Sequence, residues 1–159
     1  MADAKFSDGA EQPLRLKAES TDDLAVISTY VQDAVGQNSE ISWLTKKHRF
    51  AVLLNRFRWE DRLTAEQQGR PYERVQSMLV VDSVLKVSAQ GLDPSDKDMA
   101  FELLSVSFEA GEDGAGQMIL TLAGDGAIAL DVECLDVTLS DVSRPYKARS
   151  SHAPTHPDE

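Results

Sequence analysis

The sequence is poor in the residues that staple, ligate and span. It holds one cysteine, Cys134, so neither an intrachain disulfide nor a cysteine zinc site can form within it. Of three histidines, His152 and His156 flank Pro154 near the C-terminus, where the proline argues against a helical metal pair. Long apolar runs are also missing. The longest, Phe50 to Leu54, is five residues, against the roughly 20 that a membrane helix needs. Residues 1–10 carry Asp3 and Asp8 without an apolar stretch, so no secretory signal is expected and a cytoplasmic setting is. Cations are short as well: 16 Lys and Arg face 27 Asp and Glu, a net charge of −11. Phosphate contacts dominate nucleic-acid affinity and need clustered cations, so nucleic acid is not an expected partner.

What remains describes one acidic globular domain. Residues 1–13 and 144–159 are polar and without apolar period, and are expected as mobile tails. Residues 14–143 leave about 130 residues, enough for a single core. Leu14, Leu16 and Ala18 alternate with charged residues and predict a strand. Ser20 then caps a helix in which Leu24, Ile27, Val31 and Ala34 recur at three- and four-residue spacing, with Gly36 as its expected left-handed stop.

Beyond Gly36 the period falls to two. Ile41 and Trp43, a turn at 46–48, and Phe50, Val52 and Leu54 predict an antiparallel hairpin. Phe57 and Trp59 are apolar in the opposite phase, which predicts a bulge near Asn55. Residues 62–72 read as a long loop with at most one helical turn. Strand character returns over 75–87 with a bend near Asp82 and Ser83. Leu104, Val106 and Phe108, then Met118 to Leu122, Ile128 to Val132 and Leu135 to Leu139 complete a series of hairpins, with Gly124-Asp125-Gly126 a tight turn and a kink at Cys134. The expected fold is α+β: a strongly bent antiparallel sheet or partly closed β barrel of about seven or eight strands with one N-terminal helix.

The segments Asp23-Leu24, Gln32 to Val35, Arg49-Phe50-Ala51 and above all Leu54-Asn55-Arg56-Phe57-Arg58-Trp59-Glu60 resemble an alphaproteobacterial family catalogued as domain of unknown function 2948. The resemblance runs over most of 14–142. It implies a bacterial cytoplasmic protein, and it brings no substrate, cofactor or catalytic residue with it.

Charge is unevenly placed. Between Lys46 and Arg74 eight basic residues meet four acidic ones, a local +4, leaving −15 elsewhere. Guanidinium groups interleaved with aromatic rings suit recognition of carboxylate or phosphate. Asn55, Arg56, Arg58 and Trp59 are therefore the candidate binding residues. The plainer alternative makes these arginines solvated strand positions with Glu60 and Asp61 as local partners. His48 and Cys134 are arithmetically a nucleophile and base, but Cys134 lies in an apolar strand phase and is expected to be a small buried hydrophobe. Asp93, Asp96 and Asp98, and Glu112 with Asp113, lack calcium-loop spacing, so no metal site is expected. No Gly-Lys-Ser/Thr follows the glycine turns, and no cofactor is expected. The leading reading is a small binding or accessory protein that presents this basic and aromatic strand region to an anionic small molecule or a protein partner. The alternatives are an enzyme acting on an anionic small molecule, and a structural homodimer subunit. Catalytic residues stay unassigned, with an enzyme the less favoured reading.

Overall fold

The computed structural model describes residues 12–154. Its chain order is β1 (Arg15–Ala18), α1 (Thr21–Val31), β2 (Ala34–Gln37), β3 (Ile41–Leu44), β4 (Arg49–Phe57), α2 (Arg62–Gln68), β5 (Glu73–Val81), β6 (Val84–Gln90), β7 (Ala100–Ala110), β8 (Gly116–Leu122), β9 (Gly126–Val132), β10 (Val137–Asp141) and β11 (Tyr146–Lys147). The strands form one antiparallel sheet in the order β1-β10-β5-β4-β2-β7-β8-β9-β6, with β3 also on β4 and β11 also on β5. Among the described residues β1 and β6 are unjoined edges, so the sheet is open and not a barrel. Eleven strands replace the expected seven or eight. The run 75–87 divides at Ser83, which takes the left-handed conformation, while β2 and β11 are too short to show a period in sequence.

The inner face is one core. Phe50, Val52 and Leu54 of β4 and Leu79 and Val81 of β5 share it with Leu120 of β8, Leu130 of β9 and Leu24, Ile27 and Val31 of α1. Helix α1 forms because its apolar residues fall on one stripe and because the Ser20 side chain accepts from the Asp23 amide at 3.2 Å. It ends at Val31, five residues before the expected stop. Asp33 takes the left-handed turn, at φ 62°, and Ala34 and Gly36 pass into β2. Gly36 has a different purpose: a Cβ there would stand 2.5 Å from Cζ of Phe101, so its missing side chain makes room for that ring.

Two further expectations change. The β4–β5 register runs without a break from Phe50↔Val81 to Phe57↔Arg74, so there is no bulge at Asn55. Phe57 is apolar in the outer phase because the chain folds back over that end of the sheet. Its ring meets those of Trp59 and Tyr72 edge-on at 4.7 and 5.4 Å. The covering segment includes α2, a second helix in the region expected as a loop. A register shift does occur in β7, between Leu103 and Ser105. Of the segment expected as a C-terminal tail, Tyr146–Lys147 pairs with β5 and Ala148 is buried. Residues 1–11 of the expected N-terminal tail lie outside the described residues, as does His156.

Candidate binding site at the end of β4

Arg56 follows Phe50, Val52 and Leu54 on the inner face, where it is completely buried. An isolated buried guanidinium is costly, so its donors must be met. Two carboxylates meet them. Arg56 Nη1 and Nη2 donate to Glu60 Oε1 and Oε2 at 2.9 and 2.8 Å, and Nε and Nη2 donate to Asp141 Oδ1 and Oδ2 at 3.1 and 3.0 Å. Ser77, on β5, is buried beside them. Its hydroxyl accepts from Arg56 Nε at 3.0 Å and donates to Asp141 Oδ1 at 2.6 Å. The Leu14 amide donates to Asp141 Oδ2 at 2.9 Å, and the guanidinium carbon stands 5.7 Å from the centre of the Tyr30 ring.

Burial alone would draw the Arg56 pKa down, but its hydrogen bonds with Glu60 and Asp141 outweigh that and hold it above the ordinary arginine value. For Asp141, burial pushes the carboxyl up. Hydrogen bonds from Arg56, Ser77 and the Leu14 amide prevail, and its pKa lies below the usual carboxylate value.

A second set of ion pairs continues outward. Arg58 donates to Glu73 and stands 3.9 Å from Glu60 and 3.8 Å from Asp61. Arg70 grips Asp61 with two bonds, at 2.7 and 2.6 Å. That hydrogen bonding, opposed by some burial, lowers the Asp61 pKa. Arg62 pairs with Glu66 at 3.3 Å, and the Tyr72 hydroxyl donates to Glu66 at 2.6 Å. Arg49 is held by Asp82 at 2.8 Å. The +4 counted along the chain is therefore halved in space, because Asp82 and Asp141 lie outside the 46–74 segment that was counted.

The four candidate residues are close together but face different ways. Arg56 and Arg58 are buried and paired. Asn55 is half-buried on the outer face, where Arg74 Nη1 donates to its backbone oxygen at 3.1 Å and to Oδ1 at 3.3 Å. Trp59 donates its ring N–H to the Gln32 carbonyl at 3.1 Å and lies under the Arg62 guanidinium. Cys134 is exposed, against the expectation of burial, because β9 ends at Val132 and the thiol falls in the connection to β10. His48 and Cys134 both come to the β5–β6 turn. His48 Nδ1 is 3.2 Å from the Val84 carbonyl and Cys134 Sγ is 3.6 Å from the Ser83 hydroxyl. No group of three or more potential metal ligands occurs among the described residues.

Sequence reading missed an open groove of about 500 Å³ between α2 and the C-terminal segment. Ala65, Tyr72 and Ala148 line it, together with Arg70, Lys147 and Arg149. Its volume is in the range of ligand sites. Lys147 and Arg149 are exposed and make no ion pair with a described carboxylate. Their place within an apparent tail concealed them, since only the pairing of Tyr146–Lys147 with β5 carries them to α2.

An open antiparallel sheet with an inner helix, a buried arginine held by two carboxylates and a cation-lined groove define the protein as an α+β protein with a polar seam at one end of its core. The chain belongs to the family described as Protein of unknown function (DUF2948), whose model matches residues 14–156. Neither the search of curated proteins nor that of solved structures found a match. No described helix is long and apolar enough to cross a membrane.

Proposed function

We propose that the protein is a small cytoplasmic binding or accessory protein that takes an anionic partner in the groove between α2 and the C-terminal segment. One observation carries the reading. Lys147 and Arg149 line the groove beside Arg70 without ion pairs to described carboxylates, whereas the arginines of β4 are held by internal ones. Glu66 also lines the groove but is taken by Arg62 and Tyr72, so the unpaired cations at this concave, partly apolar surface are available to a ligand's carboxylate or phosphate. The candidate residue Arg58, just beyond β4, then acts as support: it shares Asp61 and Glu73 with Arg70, which fixes the wall on which Arg70 stands. The exposed thiol of Cys134 suits a reducing compartment.

The test is a titration of the full chain, labelled for amide NMR, with inorganic phosphate and with hexaglutamate. Saturable shifts at Gly69 and 149–151 with at least one probe are expected, and their loss in Lys147→Glu/Arg149→Glu at unchanged melting temperature. Absence of such shifts with both probes, or equal affinity in the double variant, overturns the reading.

A further inference from the structure

Beyond the groove, the outer face of the sheet breaks the ordinary pattern. Successive strand residues point to opposite faces and directly paired residues share one. Since Phe50, Val52, Leu54, Leu79 and Val81 face the core, Ala51, Leu53, Met78 and Val80 face outward. An antiparallel sheet with one solvated face carries polar residues there. An unbroken apolar run is instead the mark of a strand buried on both faces, and both central strands carry one, Phe50 to Leu54 and Met78 to Val81.

At one end that expectation is met, because Phe57 on the same outer face is buried beneath Trp59 and Tyr72. Further along, Leu53, Met78 and Val80 are only partly buried. Exposed apolar side chains stand on the same face, opposite Asn55, Arg49, Gln76 and Arg74. Of seven large exposed hydrophobics among the described residues, four are on this face by register: Val35, Leu44, Val142 and Tyr146. Val142 follows the β10 residue paired with Ser77, and its amide bonds to the Gln76 carbonyl. Apolar exposure concentrated on one face marks an interaction surface, where single exposed residues would not.

The rim is cationic in a chain of −11. Register puts Arg15 in the row of Ser140 and Met78, and Lys17 in the row of Thr138 and Val80. Arg49 and Arg74 extend the outer rows of β4 and β5. Glu19 and Asp82 pair with Lys17 and Arg49, and Asp136 lies near both, so the uncompensated charge of the rim is that of Arg15 and Arg74.

We propose that this face of β1, β10, β5 and β4 docks an amphipathic helix of a partner protein, its apolar stripe on Leu53, Met78 and Val80 and its flanking carboxylates on the cationic rim. Four strands span about 15–19 Å at about 4.8 Å spacing, and a helix with side chains is about 10–12 Å across. The helix would continue the layer that α2 begins over Phe57. A second copy fits poorly. Two chains of −11 repel, and the outer face of β7, β8 and β9 mixes Ser105, Ser107 and Thr121 with Ala127 and Ala129, leaving Ile119 as its large apolar residue.

The test titrates the full chain with a designed peptide of about 18 residues, five helical turns, with leucines at i, i+3, i+4 and i+7 and glutamates beside them. Controls carry lysine flanks, or serine in place of leucine. Saturable binding of the Glu-flanked peptide is expected, with amide shifts confined to β1, β4, β5 and β10. Affinity should fall at least about tenfold, or 1.4 kcal/mol, in Leu53→Lys and in Arg15→Glu/Lys17→Glu, each melting near the parent. Lys147→Glu/Arg149→Glu should bind as the parent does, which separates this face from the groove. No saturation, equal binding of the Lys-flanked peptide, shifts elsewhere, or a dimer in sedimentation broken by Leu53→Lys would each overturn the proposal.

Discussion

Arg56 occupies a core position that its neighbours reserve for Leu or Val, and four side chains and one backbone amide are arranged around it or its partners. Removing it leaves Asp141, whose side chain is nearly buried, without its cation, and takes the same partner from Glu60, which is partly open to water. Breaking a buried pair in this way costs about 3–5 kcal/mol. Arg56→Ala should therefore lower urea-unfolding stability by about that amount, and a loss under about 0.5 kcal/mol, the usual effect of a surface change, would contradict the buried role. Alternation in the sequence does place residue 56 in phase with Phe50, Val52 and Leu54. Its polarity nonetheless suggests a solvent-facing residue, because of the partners that make an inward arginine tolerable only Glu60, four residues on, is local: Ser77 is 21 residues away and Asp141 is 85. Periodicity reports which side a residue takes, and only the assembled neighbours decide whether that side admits charge.

At the scale of elements, strands with a clear alternation were legible wherever they paired, β1 and β10 included, and the short β2 and β11 were not. The β3–β4, β7–β8 and β8–β9 hairpins announce themselves by alternation and turn residues. By contrast β2 has four residues and joins β7 across more than sixty residues of chain, so nothing local distinguishes it from a continuing helix. Gly36 shows the difference. A glycine after an apolar helix stripe is ordinarily its C-cap, but here the residue lies in extended backbone against the Phe101 ring. Gly36→Ala should lower stability by about 1–3 kcal/mol through overpacking, with part of the loss recovered when Phe101→Leu is added. A neutral Gly36→Ala in thermal melts would show that the ring moves aside freely.

Over the whole molecule, charge joins segments that the chain keeps apart. Asp141 receives the Leu14 amide, Ser77 and Arg56, tying β1, β10, β5 and β4 together, and Asp61 anchors Arg70 beyond α2. Both carboxyls have pKa values depressed by folding, against an ordinary 3.8. Their stabilisation is thus fully present above that value and is lost as pH falls through and below it toward the depressed folded values. The urea midpoint should drop as pH falls below about 4, and Asp141→Asn, weaker at neutral pH, should drop less. Parallel pH curves for parent and variant would refute the linkage. The uneven charge visible in the sequence was real as arithmetic, yet its location was not: pairing with Asp82 and Asp141 halves the excess charge of the 46–74 segment, while the unpaired cations of the groove stand at 147 and 149.

The polar seam also bears on how the chain is made. As synthesis proceeds from the N-terminus, Arg56 and Glu60 emerge early, while Asp141 arrives 85 residues after the arginine it must satisfy. During that interval Arg56 lacks the more deeply buried of its two carboxylates, and β5 lacks its β10 edge. The first-made half of the sheet therefore cannot close its core until β10 has been made, and its completion waits on a late, long-range pairing of the slow-forming kind.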